Sequence, residues 1–178
     1  TLAVSLTAWL LALAIGITVG AMRSKPSRLL NTLGAAWVEL FRNIPLLVQM
    51  FLWFFVVPEF LPRDLSLWVK QDMPAKEFVT AALCLGLFTS ARVAEQVRAG
   101  IGSLPRGQRD AALALGLTLG QAYRQVILPQ ALRIVIPPLT SEFMNVFKNS
   151  SIAFAIGVME LTFQARQMQE DSEQGIET

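Results

Sequence analysis

The chain has 178 residues; 53% are apolar before its 11 glycines are counted, 16% are charged, and the formal net charge is +2. Soluble domains carry about a quarter charged residues, so this sequence lacks the charge to cover a water-exposed surface and suits lipid instead. Having no His, it excludes the Ser-His-Asp triad, Cys-His pairs, HExxH zinc sites and imidazole proton relays. Its one cysteine, Cys84, cannot close an intrachain disulfide and reads as a small core residue. None of Lys25, Lys70, Lys76 and Lys148 completes a GxxxxGK[ST] phosphate loop, so any ATP must be handled by another chain. No residue is assigned to catalysis, a cofactor or a metal.

Leu2 to Met22 is free of charge and begins one residue after Thr1. At 1.5 Å per residue it reaches about 30 Å, the thickness of a hydrocarbon core, and reads as a first membrane span. A cleaved signal peptide would have its basic residues before the run, whereas here they follow it. Gly16 and Gly20 form a GxxxG pair suited to close helix packing. The second apolar stretch, about Leu33 to Phe60, is broken by Glu39, Arg42 and Pro45, and Pro45 is expected to kink it. Its aromatic cluster, Phe51, Trp53, Phe54 and Phe55, reads as a lipid or subunit interface rather than a ligand cage. The third span is expected over about Phe78 to Ala99. There Thr89, Arg92 and Gln96 share a face, while Glu95 lies one turn from Arg92 and Arg98, as a local pair or as snorkelling side chains.

Residues 102–130 contain SLPRGQRDAALALGLTLGQAYRQVILPQ, whose helical apolar pattern breaks at Gly116 and again at Pro129. Two short helices are expected. The first starts near Pro105 and ends at a left-handed Gly116; the second starts at Thr118, capped by a box with Gln121, and stops at Pro129. The fourth span, about Ile134 to Met159, carries Ser141, Glu142, Asn145, Lys148 and Asn149 within an arc of about 120° on a helical wheel. An unpaired charge at the bilayer centre costs at least about 2.5 kcal/mol, so this face is expected to line the bundle interior or an aqueous path.

Basic residues in short loops are retained on the cytoplasmic side. The first loop holds Arg23, Lys25 and Arg28, and the loop between the third and fourth spans holds Arg98, Arg106, Arg109 and Arg124. Both are expected to be cytoplasmic. The mixed segment from Glu59 to Glu77, the acidic tail after Met159 and the N-terminus are then external. That count matches a fragment lacking an N-terminal segment and a fifth span.

Asp110-Ala111-Ala112, three residues, Gly116, nine residues, then Val126-Ile127-Leu128-Pro129 resembles the EAA loop of ABC importer permeases, with Asp110 for the usual Glu and Val126 for Ile. ELFRNIPLLVQ from Glu39, LGLFTSARVAEQVRAGI from Leu85 and SEFMNVFKNSSI from Ser141 are similar to the polar amino acid branch of that family, and most similar to its glutamate/aspartate importers. The resemblance implies an all-α, type I importer (MetI-like) transmembrane domain over 1–178, with four of five spans present. It implies a cytoplasmic coupling loop over 102–130, with Asp110, Ala111, Ala112, Gly116, Leu128 and Pro129 serving contact with a cytoplasmic ABC ATPase dimer. It also implies a second, similar permease, a periplasmic solute-binding protein, an amino acid substrate and a bacterial inner membrane. Other polar amino acids, such as glutamine, remain open as substrates.

Arg92, Glu142, Asn145, Lys148 and Asn149 have two readings: a translocation path touching substrate, or a structural network in which Lys148 pairs with an acid such as Glu142. A membrane-tethered helix-turn-helix with Gly116 at its turn is the rival from another class. It lacks a third helix for a core and offers only Arg124 to a phosphate, so no nucleic acid is expected. A carrier driven by ions alone would leave the EAA spacing unexplained.

Overall fold

The computed structural model describes residues 1–24 and 27–158. Lys25 in the first basic loop, Met159 at the end of the fourth expected span and the acidic tail lie outside the described residues. Those residues are helical throughout: α1 (Leu2–Arg23), α2 (Arg28–Asn43), α3 (Leu46–Phe51), α4 (Arg63–Leu67), α5 (Lys76–Gly102), α6 (Arg106–Ala114), α7 (Leu119–Ala122) and α8 (Leu128–Ser150). α3 runs on through a π turn (Leu52–Val56) and a 3-10 turn (Val57–Phe60), and α4 through a π turn (Trp68–Asp72). α7 passes through a π turn (Tyr123–Ile127) into α8, which ends in a 3-10 turn (Ser151–Ile156).

The centre of the fold is α5, whose buried positions are dominated by small residues: Ala81, Ala82, Cys84, Gly86, Ser90, Ala91, Ala94 and Gly100. Small side chains let neighbouring backbones approach, which is how helices associate where lipid removes the hydrophobic drive. α1 lies along α5 in the same chain direction. Gly86 abuts Ala8 and Leu11, Gly16 abuts Val93 and the Ser90 carbonyl, and Gly20 abuts Val97 and the Ala94 carbonyl. The expected packing role of Gly16 and Gly20 is therefore met, against α5. The opposite side of α1 exposes Leu2, Leu6, Leu10 and Ile17.

The second expected span is a broken one. α2 and the run from Leu46 to Phe60 meet at 98°, far beyond a proline kink. Proline disfavours a helical residue before it, and Ile44 takes φ −92°, ψ 127° while Pro45 itself is extended at ψ 140°. The break strands the last carbonyls of α2 without intrahelical donors. Gln49 answers this: it is buried, and its Nε2 donates to the carbonyls of Phe41 at 2.7 Å and Ile44 at 2.9 Å.

Pro129 does not end a helix, contrary to the sequence expectation. Helical backbone continues from Leu119 through Ser150 and across Pro129, Pro137 and Pro138. The reason is local: the π turn just ahead of Pro129 shifts the ladder, with the Leu128 N–H bonding the Tyr123 carbonyl, so the ring falls in the first turn of α8, where no donor is required. Only α1 and α5 are single helices long and apolar enough to cross a bilayer among the described residues. α8 has the length, 23 residues, but carries Arg133, Glu142 and Lys148.

Replacing Gln49 by Leu leaves two buried carbonyls at the break without donors, and is expected to destabilise the fold by about 2 kcal/mol, read as a lower thermal midpoint of the detergent-purified protein.

Candidate functional site

Two regions emerge from this scaffold, one at the α6–α7 turn and one inside the helix bundle. In the first, α6 closes with Gly116 at φ +85°, where the N–H groups of Gly116 and Leu117 bond the carbonyls of Leu113 and Ala112 at 3.0 and 3.2 Å. This paired arrangement is a Schellman turn, and Gly116 occupies its left-handed position. A Cβ added at Gly116 would meet nothing within 4 Å, so its backbone angle, rather than crowding, calls for glycine. The next helix starts in the expected capping box: the Gln121 N–H donates to Thr118 Oγ1 at 3.3 Å, and the Thr118 N–H to Gln121 Oε1 at 2.9 Å.

The spacing from Asp110 to Gly116 thus has a physical content. Ala112 is buried and supplies the carbonyl that locks the turn, whereas Asp110, Ala111 and Gly116 face outward, as do Leu128 and Pro129 beyond the π turn. Asp110 lies 3.4 Å from Arg109, both well exposed. Beside them a cavity of about 400 Å³ opens between the end of α5, α6 and the π turn, lined by Ile101, Leu104, Pro105, Gln108, Arg109, Asp110, Tyr123 and Ile127.

In the second region, the end of α2 and the interiors of α5 and α8 converge on a cavity of about 240 Å³ lined by Arg42, Arg92, Glu95, Gln96 and Glu142. Arg92 lies 3.7 Å from Glu142 and 5.0 Å over the ring of Phe88. Glu142 is 9% exposed, and its Oε2 has no hydrogen-bond partner among the described residues. Of the residues expected to line a path, Arg92 and Glu142 are brought together; Asn145, Lys148 and Asn149 are not on this cavity. The expected pairing of Lys148 with Glu142 is not formed. Six residues on, Lys148 is about 9 Å further along the helix and rotated away, and it is exposed.

Of the polar face expected to line the bundle interior or an aqueous path, Glu142 is buried and Asn145 and Asn149 are half-buried. Val135, Val146 and Ser150 bury toward α1 and α5, and Phe143 meets Trp9 edge-on at 5.3 Å. Ser141 and Lys148 face out of the protomer. In the aromatic cluster, Phe51 and Phe55 stack in the open as an interface would, while Phe54 packs inward under Lys76 at 4.3 Å.

Sequence reading missed two groups here. Arg42 joins the cavity because of the break at Pro45. Arg23, at the end of α1, pairs with Glu95, which also holds Arg98 at 2.9 Å. The signal for the Arg23 pair was present in the orientation: two spans running the same way bring the last turn of α1 level with Glu95.

A family model described as binding-protein-dependent transport system inner membrane component matches residues 12–175. The chain belongs to this family. It is 53% identical to the glutamate/aspartate import permease protein GltJ of Escherichia coli (strain K12), over 93% of this chain and 68% of that one. It is 39% identical to the probable glutamine ABC transporter permease protein GlnM of Bacillus subtilis (strain 168), over 93% and 71%. Among solved structures, an amino acid ABC transporter crystallised with histidines superposes with TM-score 0.80 at 31% identity, over 97% of this chain and 75% of that chain. The MetNI methionine ABC transporter in inward-facing conformations superposes at 0.70 and 23%, over 92% and 74%, sharing the fold. The all-α, MetI-like architecture of a type I importer permease is therefore that of this chain. Within the family the chain is a transport component of the inner membrane.

Because the Arg23 side chain is only 13% exposed, Glu95→Ala strands its charge and is expected to cost about 3 kcal/mol. Arg98→Ala removes an exposed i,i+3 pair and should cost under about 0.5 kcal/mol. Thermal unfolding of the two variants checks the contrast.

Proposed function

We propose that this chain is a permease subunit of an ATP-driven importer for glutamate and aspartate, working beside a second, similar permease and supplied by a periplasmic solute-binding protein. The observation that carries this reading is the 53% identity to GltJ over 93% of the chain. The cavity beside α8 holds Arg42 and Arg92 against Glu95 and Glu142, a balanced set of charges that by itself selects no substrate. Glutamine is the second reading, favoured by the 39% identity to GlnM.

In this reading residues 102–130 are a cytoplasmic coupling segment. Asp110, Ala111 and Gly116 present the contact to an ATPase dimer, Ala112 holds the turn behind it, and Leu128 and Pro129 lie at its far edge. The capping box leads from the turn into one helical run from Leu119 to Ser150, roughly 48 Å at 1.5 Å per residue. Displacement of α6 is therefore delivered to Glu142, Asn145, Lys148 and Asn149 by a stiff element rather than through a loop. ATP closure of the ATPase dimer would tilt this run and switch the path between its two openings. The outward polar face of α8 is covered by the second permease, so that Lys148, Asn145 and Asn149 line the path between subunits while Arg92 and Glu142 form its inner wall.

In vesicles holding the complete complex, labelled glutamate is expected to accumulate only with ATP and to be displaced by aspartate; displacement by glutamine alone would select the second reading. Gly116→Pro distorts the turn and Asp110→Lys reverses a rim charge, and each should lower uptake at least about tenfold while ATP hydrolysis persists.

Orientation is tested by introduced cysteines. Ser24→Cys and Gln121→Cys should react with a membrane-impermeant maleimide only from the cytoplasmic side, and Asp64→Cys only from outside, all three positions being exposed.

A further inference from the structure

The charged side chains gathered where the end of α2 meets α5 and α8 are unequally matched. Glu95 is held by Arg23 at the end of α1 and by Arg98 three residues on, neither of which lines the cavity. Glu142 faces Arg92 at 3.7 Å. Both carboxylates on the cavity are thereby matched, and Arg42 is the cation left over. It lines the cavity, is exposed, and forms no ion pair or hydrogen bond among the described residues.

The corner at Pro45 sets this arrangement. Phe41, one residue earlier, is buried with Ala91 and Ala94, which pins the last turn of α2 beside the stretch of α5 that carries Arg92, Glu95 and Gln96. A basic side chain in the last turn of a helix can bond the terminal carbonyls. Here Gln49 already donates to those of Phe41 and Ile44, so the guanidinium of Arg42 is left for the cavity.

We propose that Arg42 is the open cation of this cavity and receives a carboxylate of the amino acid in transit. This rests on the reading that the chain conducts amino acids, but not on which one, because every amino acid brings an α-carboxylate. A guanidinium offers paired donors that match a carboxylate in its plane. With Arg23, Arg92 and Arg98 engaged by Glu95 and Glu142, the substrate meets one attachment point rather than several, which keeps binding weak enough for release. The cavity, about 240 Å³, admits a molecule of amino acid size, whereas a partner helix about 10 Å across does not fit it.

The test uses the assembled importer in proteoliposomes, with whichever of labelled glutamate or glutamine the unmodified complex accumulates. Accumulation of neither is failure of the underlying reading and takes this proposal with it. Arg42→Gln should lower the initial rate at least about tenfold with assembled complex recovered in normal amount, and Arg42→Lys, which keeps the charge without the fork, should fall between. Combining Arg42→Gln with Glu142→Gln releases Arg92 as a replacement cation, so uptake should recover at least about threefold over Arg42→Gln alone, which a merely structural role of Arg42 does not predict. Unaltered uptake by Arg42→Gln overturns the proposal, and so does a double variant no better than the single one. Should Arg42→Gln fail to assemble, the unmodified complex decides: phenylglyoxal is expected to modify Arg42, and an excess of the transported amino acid to protect it. Modification that the amino acid does not slow overturns the proposal. So does an Arg42 that resists the reagent without amino acid, which would mean that a carboxylate of the second permease already covers it.

Discussion

Two helices that run side by side in the same direction cannot be joined by a short turn, and the contact of α1 with α5 therefore decides where the rest of the chain goes. That contact is made by glycine and alanine, with carbonyl oxygens of α5 facing Gly16 and Gly20. Backbones this close leave no room for a third element between them, so α2, α3 and α8 are distributed around the remaining faces of α5. The pair formed by Arg23 and Glu95 fixes the register at the C-terminal end of α1 in the same contact. Sliding α1 by one turn would separate these charges and set Val93 or Val97 against a larger side chain than glycine.

The return from α1 to α5 is made by a helix that breaks, and a break in lipid imposes a debt of hydrogen bonds that water cannot settle. Gln49 supplies the donors from the next helix, so the corner is held by the very residues that it redirects. One consequence is chemical: the end of α2 brings Arg42 to the wall that already holds Arg92 and Glu142. Backbone repair and the placement of positive charge are two results of one bend.

Much of this was legible in the sequence, and the limits have physical causes. Gly116 and the Thr118–Gln121 box could be read because they act within a few residues, where turn chemistry is decided locally. The apolar lengths of α1 and α5 were equally plain. The continuation across Pro129 was not, because it depends on a π turn that no composition rule announces. How the α8 polar stripe divides between buried Glu142 and exposed Lys148 was not legible for a different reason: a wheel shows which residues share a face, but not which face the neighbouring helices take. Arg23 and Glu95 stand 72 residues apart, and only the parallel packing of their helices joins them.

The outward stripe on α8 bears on the life of the protein before it is assembled. A protomer alone leaves Lys148 and Ser141 exposed, and a charge so placed in hydrocarbon costs about 2.5 kcal/mol or more. It can lower that cost only by tilting, thinning the bilayer or drawing in water, all of which loosen the helix. An orphan chain is thus the kind of substrate that membrane proteases select. Covering the stripe removes that cost, so assembly itself stabilises the helix.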